Sequence, residues 1–277
     1  MILVLGGTGK TGRKIAERLN KRGQAFRIGS RSATPSFDWE DSDTWADAID
    51  GVDTVYITFQ PDLAVPGAKE KIEKFTSQAV KSGVKKMVLL SGKGETEAER
   101  CEKIVMHSGV DWTIVRASWF NQNFSESFLL DPILAGHVAL PKGDAPIPFV
   151  DTDDIADVVV EALLDDKHVG QTYELTGPRQ LTFEQVTQEI SHVVDREIVY
   201  QPITMDTYEE MLRQFHFPED YVWLIMYLFE EVLVEKNAVV TQDVEKVLGR
   251  KARDFSEYAK ETAESGIWNP VISEVGV

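Results

Sequence analysis

The chain has 277 residues, 43% of them apolar and 27% charged, which is enough to bury a core as one large domain or two modest ones. That mix excludes intrinsic disorder and a collagen-like repeat, and a single cysteine, Cys101, excludes a disulfide-stapled miniature. With 46 acidic against 29 basic residues the formal charge is −17, a surface that repels phosphate backbones and anionic lipid and argues against a nucleic-acid or membrane role.

Met1 to Leu5 is a continuous apolar run ending in glycines, the pattern of a parallel strand buried on both faces. A helix is predicted over Thr11 to Arg22, with Ile15, Ala16 and Leu19 on one face. Strands follow at Ala25 to Gly29, Phe37 to Trp39, Thr54 to Thr58, Lys86 to Ser91 and Trp112 to Arg116. Between them helices are predicted at Thr44 to Ile49, Pro66 to Ser82 and Glu95 to Ser108. The charged stretch around Cys101 offers no low-pKa surroundings, so a structural thiol is expected there rather than a nucleophile. Beyond Arg116 a helix is predicted over Phe120 to Leu134. Thr152 to Leu164 reads as a capped helix, and Thr172 to Thr176 as one more strand closed by Gly177-Pro178. The rest reads as mostly helical to Ser265. Ile198 to Gln201 is strand-like, and Tyr221 to Phe229 is apolar all round, as a buried helix is.

Alternating strands and helices imply right-handed crossovers and an α/β, Rossmann-type doubly wound parallel sheet. The expected division is a Rossmann domain over 1–178, with cleft-forming insertions after 117, and a smaller, mostly helical domain over 179–277 packed at the carboxyl edge of the sheet. No apolar run approaches the ~18 residues that span a bilayer. No signal peptide precedes the first strand, so the expected location is cytoplasmic.

The first strand–helix junction carries Gly6-Gly7-Thr8-Gly9-Lys10-Thr11-Gly12, a GxxGxxG spacing. Gly6 permits the tight strand exit, Gly9 lets the backbone approach a pyrophosphate, and Gly12 lets helix and strand pack closely. Free amides and the positive helix end then face an anion, with Thr8, Lys10 and Thr11 as added donors. This is a dinucleotide loop. An NTPase phosphate loop is excluded, because Gly12 is followed by Arg13 and Lys14 rather than Lys and Ser/Thr. The second strand ends Ile28-Gly29-Ser30-Arg31-Ser32 with no carboxylate for a ribose 2′-hydroxyl. Ser30 and the Arg31 guanidinium suit a 2′-phosphate, so the expected cofactor is NADP(H) rather than NAD. Asp38 and Trp39 are expected beside the adenine, with core packing of Trp39 as the competing role.

The blocks GGTGKTGRKIAERL, LLSGKGE, SGVDWTIVRASWFNQNF and PFVDTDDIADVVVEAL resemble those of the NmrA-like atypical short-chain dehydrogenases/reductases over nearly the whole length. GGTGKTG followed by IGSRS and FDWEDSDTW is similar to reductases of the ergot-alkaloid pathway and their bacterial relatives. The resemblance implies an NADP-binding Rossmann domain with a substrate cleft under a small C-terminal domain. It also spans quinone, imine and enone reductases and NADP-binding regulators without catalysis.

Ordinary short-chain dehydrogenases use Tyr-x-x-x-Lys to exchange a proton. Four residues after the seven tyrosines stand Gln60, Gly177, Thr204, Leu212, Ile225, Glu231 and Thr262, so no such pair exists. Without a positioned acid a neutral ketone loses roughly 10²–10⁴ in rate. Quinones, iminium ions and enones are the expected acceptors, and an acidic protein attracts a cationic iminium. Ligands of such sheets bind beyond the strands' carboxyl ends, which carry Thr58-Phe59-Gln60-Pro61, Ser91-Gly92-Lys93 and Ala117-Ser118-Trp119-Phe120. Thr58, Phe59, Gln60, Ser91, Gly92 and Lys93 are expected at the nicotinamide end. Lys93 has three roles open to it: ribose binding, oxyanion stabilisation and simple solvation. Trp119, Phe120 and Asn123 read as a pocket wall for an aromatic or conjugated small molecule, or as core packing. No histidine or acidic spacing matches a metal site, and no GxSxG elbow supports hydrolysis. The expected function is an NADPH-dependent reductase, with a non-catalytic NADP(H) sensor as the alternative. Nothing in the pattern sets an oligomeric state.

Overall fold

The structure is a computed structural model that describes residues 1–270. The chain divides into two compact units, each assembled from separated segments. The first comprises Met1–Ser118, Thr152–Thr176 and Thr241–Lys251; the second comprises Trp119–Asp151, Gly177–Val240 and the chain from Ala252. Against an expected cut after 178, residues 119–151 join the second unit and 241–251 return to the first.

The first unit is built on six parallel strands: β1 (Ile2–Leu5), β2 (Phe26–Gly29), β3 (Thr54–Ile57), β4 (Lys86–Gly92), β5 (Asp111–Ala117) and β7 (Gln171–Leu175), in the order β2-β1-β3-β4-β5-β7. The chain leaves β1 toward β2 and then returns to β3 on the other side, so the order reverses between β1 and β3. That is where a doubly wound sheet opens a crevice at its carboxyl edge. Side chains alternate across the sheet. Leu3, Leu5, Val55, Ile57, Met87, Leu89 and Ile114 pack with α2 (Trp45–Ile49), α3 (Ala68–Lys81) and α4 (Thr96–Met106) through Trp45, Ile49, Ile72, Phe75, Ala98 and Val105. The other face is covered by α1 (Gly12–Lys21) and α7 (Thr152–Leu164). Helix α7 is buried on nearly every side, from Thr152 and Asp154 through Val158, Val159 and Val160 to Leu163.

Charge stitches α1 to α7. Lys14 Nζ lies 2.6 Å from Asp153 Oδ2, Arg18 Nη2 lies 2.7 Å from Asp153 Oδ1, and Arg18 and Arg22 reach Asp157 and Glu161. Each partner recurs four residues on, the spacing that keeps side chains on one helix face. Beyond α11 (Asp243–Leu248), Arg250 pairs with both Asp154 and Asp157 at 2.6 Å.

Phe37 to Trp39 is not a strand of the sheet. Asp38 makes only an isolated bridge to Asp41, and Phe37 and Trp39 are spent on an aromatic cluster with Trp45 and Phe75, ring centres 5.0–6.1 Å apart. The ring packing holds this segment without a ladder.

The second unit has an aromatic core in which Trp119, Phe124, Phe149, Phe183, Phe229, Phe255 and Trp268 are all buried. It contains β6 (His137–Leu140) paired in parallel with β8 (Val199–Pro202), and the helices α5 (Asn123–Glu126), α6 (Leu130–Ala135), α8 (Phe183–Val193), α9 (Met205–Gln214), α10 (Glu219–Tyr227) and α12 (Phe255–Glu264). The helix predicted over Phe120 to Leu134 is therefore broken into α5 and α6, separated by Ser127, which is fully extended. The Tyr221 to Phe229 stretch is not buried all round either. Val222, Leu224 and Ile225 face the core, while Trp223 is 42% exposed and stacks on Tyr227 with ring centres 5.3 Å apart. No helix among the described residues is long and apolar enough to cross a membrane.

Candidate functional site

The glycine loop closes as its spacing requires. Gly6 sits at φ +61°, a conformation that costs a glycine nothing and other residues roughly 1 kcal/mol or more. Its amide donates to Gly29 O at 2.8 Å, and Gly9 N donates to Gly6 O at 2.8 Å, folding the loop onto the ends of β1 and β2. Gly12 opens α1 against this turn, so a Cβ there would collide with Gly6 O and Gly7 Cα. Thr8 is exposed, Lys10 half-buried, and Thr11 buried with its Oγ1 2.8 Å from Tyr56 OH. The loop is thus a backbone cradle at the N-terminus of a ten-residue helix.

At the end of β2, Ser30 O accepts from Ala33 N and Phe37 N, which curls the following residues over. Ser30 and Ser32 hydroxyls stand 3.3 Å apart, and Arg31 between them is exposed. Among the described residues Arg31 has no protein partner, whereas every other arginine has one. In a protein of charge −17 this guanidinium beside the glycine loop is left without a carboxylate partner.

The segment after β3 joins the same edge. Thr58 Cγ2 crowds the Cα of Gly6, and Gln60 Nε2 would lie 3.5 Å from a Cβ on Gly9. Phe59, 6% exposed, packs against Trp39 with centroids 4.9 Å apart, and Trp39 Nε1 donates to Thr58 O at 3.1 Å. Both rings therefore belong to the aromatic cluster that shapes the loop. Asp38 is equally engaged, its Oδ1 accepting from Glu40 N at 3.0 Å.

The end of β4 holds a buried charge network. Ser91 Oγ donates to Glu102 Oε1 at 2.6 Å, and Arg116 grips the same carboxylate through Nε and Nη2 at 2.9 and 2.7 Å. Arg116 Nη1 also reaches Glu174 at 3.3 Å, and Lys93 Nζ lies 3.8 Å from Glu174 with its side chain 6% exposed. Ser91 and Lys93 are thus tied into the network of the strand ends.

Two residues that sequence reasoning did not single out stand beside them. Glu95, just before α4, is 6% exposed and its carboxyl lies over the Cα of Gly92, where any Cβ would overlap it. It hydrogen-bonds the Asp62 carboxyl, from the segment after β3, whose Oδ1 also accepts from Ala64 N at 2.8 Å. Burial pushes both carboxyls up; at Glu95 the charge of Asp62, their hydrogen bond and the charge of Glu102 push further the same way, whereas at Asp62 the hydrogen bonds from Glu95 and from Ala64 N work against the rise. In sequence both look like ordinary solvated acids; the one available signal is a glycine three residues before Glu95. Cys101 nearby is fully buried, donates weakly to Leu63 O, and has its thiol pushed up to about 12 by burial and neighbouring carboxylates, as an inert structural cysteine does.

In the second unit Trp119 is 9% exposed and packs edge-on against Phe183 and Phe229 at 5.6 and 5.3 Å. Phe120 is half-buried and bridges Val150, and Asn123 is half-buried at the start of α5. Between them Asn121 is fully buried with neither amide atom partnered among the described residues, and Gln122 Nε2 donates to buried Asp151 at 2.8 Å.

A family model, the NmrA-like family, matches residues 1–264. Agroclavine dehydrogenase of Claviceps fusiformis is 30% identical over 292 residues, covering 96% of this chain and 98% of that one. Prestalk A differentiation protein A of Dictyostelium discoideum is 29% identical, covering 94% and 92%. An NADPH-dependent quinone oxidoreductase from Escherichia coli, solved with NADPH bound, superposes with a TM-score of 0.78 at 20% identity, covering 94% and 99%.

Proposed function

The chain belongs to the NmrA-like family, and from that premise we propose that it is an NADPH-dependent reductase of small conjugated acceptors. The residues present fit the cofactor. The Gly6–Gly12 loop is a backbone cradle that any Cβ on Gly12 would fill, and exposed Arg31 with Ser30 offers a 2′-phosphate a guanidinium and a hydroxyl. The unpartnered Arg31 beside this loop is the observation that carries the reading. Thr8, Lys10 and Thr11 add donors around the pyrophosphate, and Gln60 and Gly92 border the site toward its nicotinamide end. When bound, NADPH supplies a hydride. The acceptor class is supported by the likeness of this chain to an agroclavine dehydrogenase and a quinone oxidoreductase.

The test is steady-state oxidation of NADPH with a panel of quinones, cyclic imines and enones, beside calorimetric titration with NADPH and NADP⁺. Turnover with at least one acceptor and tight NADPH binding are expected. Binding without turnover on any acceptor would make the chain a nucleotide-binding regulator. No heat with either nucleotide would remove the reading altogether.

A further inference from the structure

We propose that the Asp62–Glu95 carboxyl pair is the proton source for the reduced acceptor, in the place where the chain has no Tyr-x-x-x-Lys. The inference rests on the reductase reading and adds to it the group that completes the reaction. Three observations support it. First, the Glu95 carboxyl lies directly over Gly92 at the carboxyl end of β4, in the space a Cβ on that residue would take. Second, its partner Asp62 follows Gln60, whose amide borders the glycine loop at Gly9. The pair thus joins the segments that follow β3 and β4, two residues along the chain from Gln60. Third, Glu95 Oε2 is buried and receives no hydrogen bond from a backbone or side-chain donor among the described residues, so the fold offers nothing there to stabilise its charged form.

Two carboxyls in mutual hydrogen-bond contact cannot both ionise cheaply, so one proton stays between them, carried by Glu95 and donated to Asp62. The charged groups around the pair reinforce this. Glu102 on α4 repels a second charge, while Arg116 is committed to Glu102 and Lys93 pairs with Glu174. A carboxyl that burial makes hold its proton above the ordinary carboxylate range is what a general acid needs. The reaction balances. A neutral acceptor that has gained a hydride holds an extra electron pair on its heteroatom. That atom forms an O–H or N–H bond as the Glu95 O–H bond breaks, and the pair carries two negative charges until solvent returns a proton.

The test compares two acceptors with the whole protein and NADPH. A neutral enone needs one proton per hydride; a preformed N-alkyl iminium ion needs none. Glu95→Gln, which keeps a hydrogen bond to Asp62 but has no acidic proton, is expected to slow enone reduction roughly 10²-fold or more. The same variant should leave iminium reduction within about threefold and NADPH affinity unchanged. The wild-type enone rate falls as pH rises through the pair's raised value, and that limb disappears in the variant. Asp62→Asn serves as the second variant and should weaken the same limb. Independently of turnover, infrared spectroscopy of the wild-type protein should show a protonated-carboxyl band at neutral pH that is absent in Glu95→Gln. Equal slowing of both acceptors, or no such band, overturns the assignment. A wild-type protein that reduces neither acceptor overturns the reductase reading and this inference with it, whereas enone turnover unaffected in both variants overturns this inference alone.

Discussion

Arg250 Nη1 lies 2.6 Å from Asp154 Oδ1, a carboxylate with no exposed side-chain surface. An arginine from beyond α11, far along the chain, thus neutralises a carboxylate in the first turn of α7. Removing one partner of a buried ion pair leaves the other charge desolvated, and that asymmetry exceeds the net worth of the pair. Arg250→Ala is expected to cost about 1–3 kcal/mol in urea unfolding. Adding Asp154→Asn should recover part of the loss, a non-additivity that double-mutant analysis reads directly. Strict additivity would mean that the pair is not coupled.

The α1–α7 stitch makes acid stability specific. Burial works to raise Asp153, but Lys14 and Arg18 outweigh it and bring its carboxyl down to about 2. A carboxylate lowered in the folded state stabilises above its ordinary value of 3.8, and that contribution is lost as pH falls through about 2. His168 acts earlier. Held neutral by burial, it favours the folded state above its ordinary 6.5 and begins to oppose it below. Unfolding free energy is expected to fall in two stages on acidification, the lower one between about pH 4 and 2. Lys14→Met with Arg18→Met should flatten that lower stage, worth on the order of 1–2 kcal/mol, and leave the upper one.

Arg31→Asp should move preference from NADPH toward NADH. A charge-assisted hydrogen-bonded contact is worth about 1.5–3 kcal/mol, so NADPH affinity should drop roughly 10–100-fold, with NADH affinity held or improved. Melting shifts with each nucleotide give the readout, since ligand at one hundred times its dissociation constant adds about 2.7 kcal/mol. Equal shifts by both nucleotides before and after the change would defeat the assignment.

Gly12→Ala puts a methyl group against Gly6 O and Gly7 Cα, backbone atoms with nowhere to go. The expected cost is about 1–3 kcal/mol of stability, typical of overpacking. NADPH affinity should fall at least about tenfold, because the turn that aims the amides must open. Ala16→Gly, further along the same helix, should cost stability without changing nucleotide affinity, which separates loop geometry from helix strength.

Much of the first unit was legible because buried parallel strands leave unbroken apolar runs, as in Val55 and Ile57 or Val88 and Leu89, between helices of clear periodicity. The glycine loop was legible for a related reason: a left-handed φ favours glycine at position 6 and backbone collision leaves glycine alone at position 12. Phe37 to Trp39 misled because a β-favouring aromatic pattern serves equally for ring packing. Strand β6 was missed because four residues after a turn carry little periodicity. The carboxyl edge of the sheet was less legible. Ser91 and Lys93 have the right address, yet their polar atoms meet Glu102 and Glu174, partners supplied by other elements. The Asp62–Glu95 contact joins two separate loops, and acids before a helix are normally read as solvated.

Because the first unit is made of three separated pieces, its sheet gains its sixth strand only after residues 119–151 of the second unit have been made. A ribosome that has released β5 has made five of six strands, but the ladder from Thr113 to Ala117 awaits Gln171 to Leu175, and Asp154 awaits Arg250. Until β7 emerges, β5 is a raw strand edge of the kind that recruits other chains. Truncation before residue 171 thus leaves that edge bare, whereas truncation between 176 and 250 leaves the sheet whole but the buried Asp154 without its arginine.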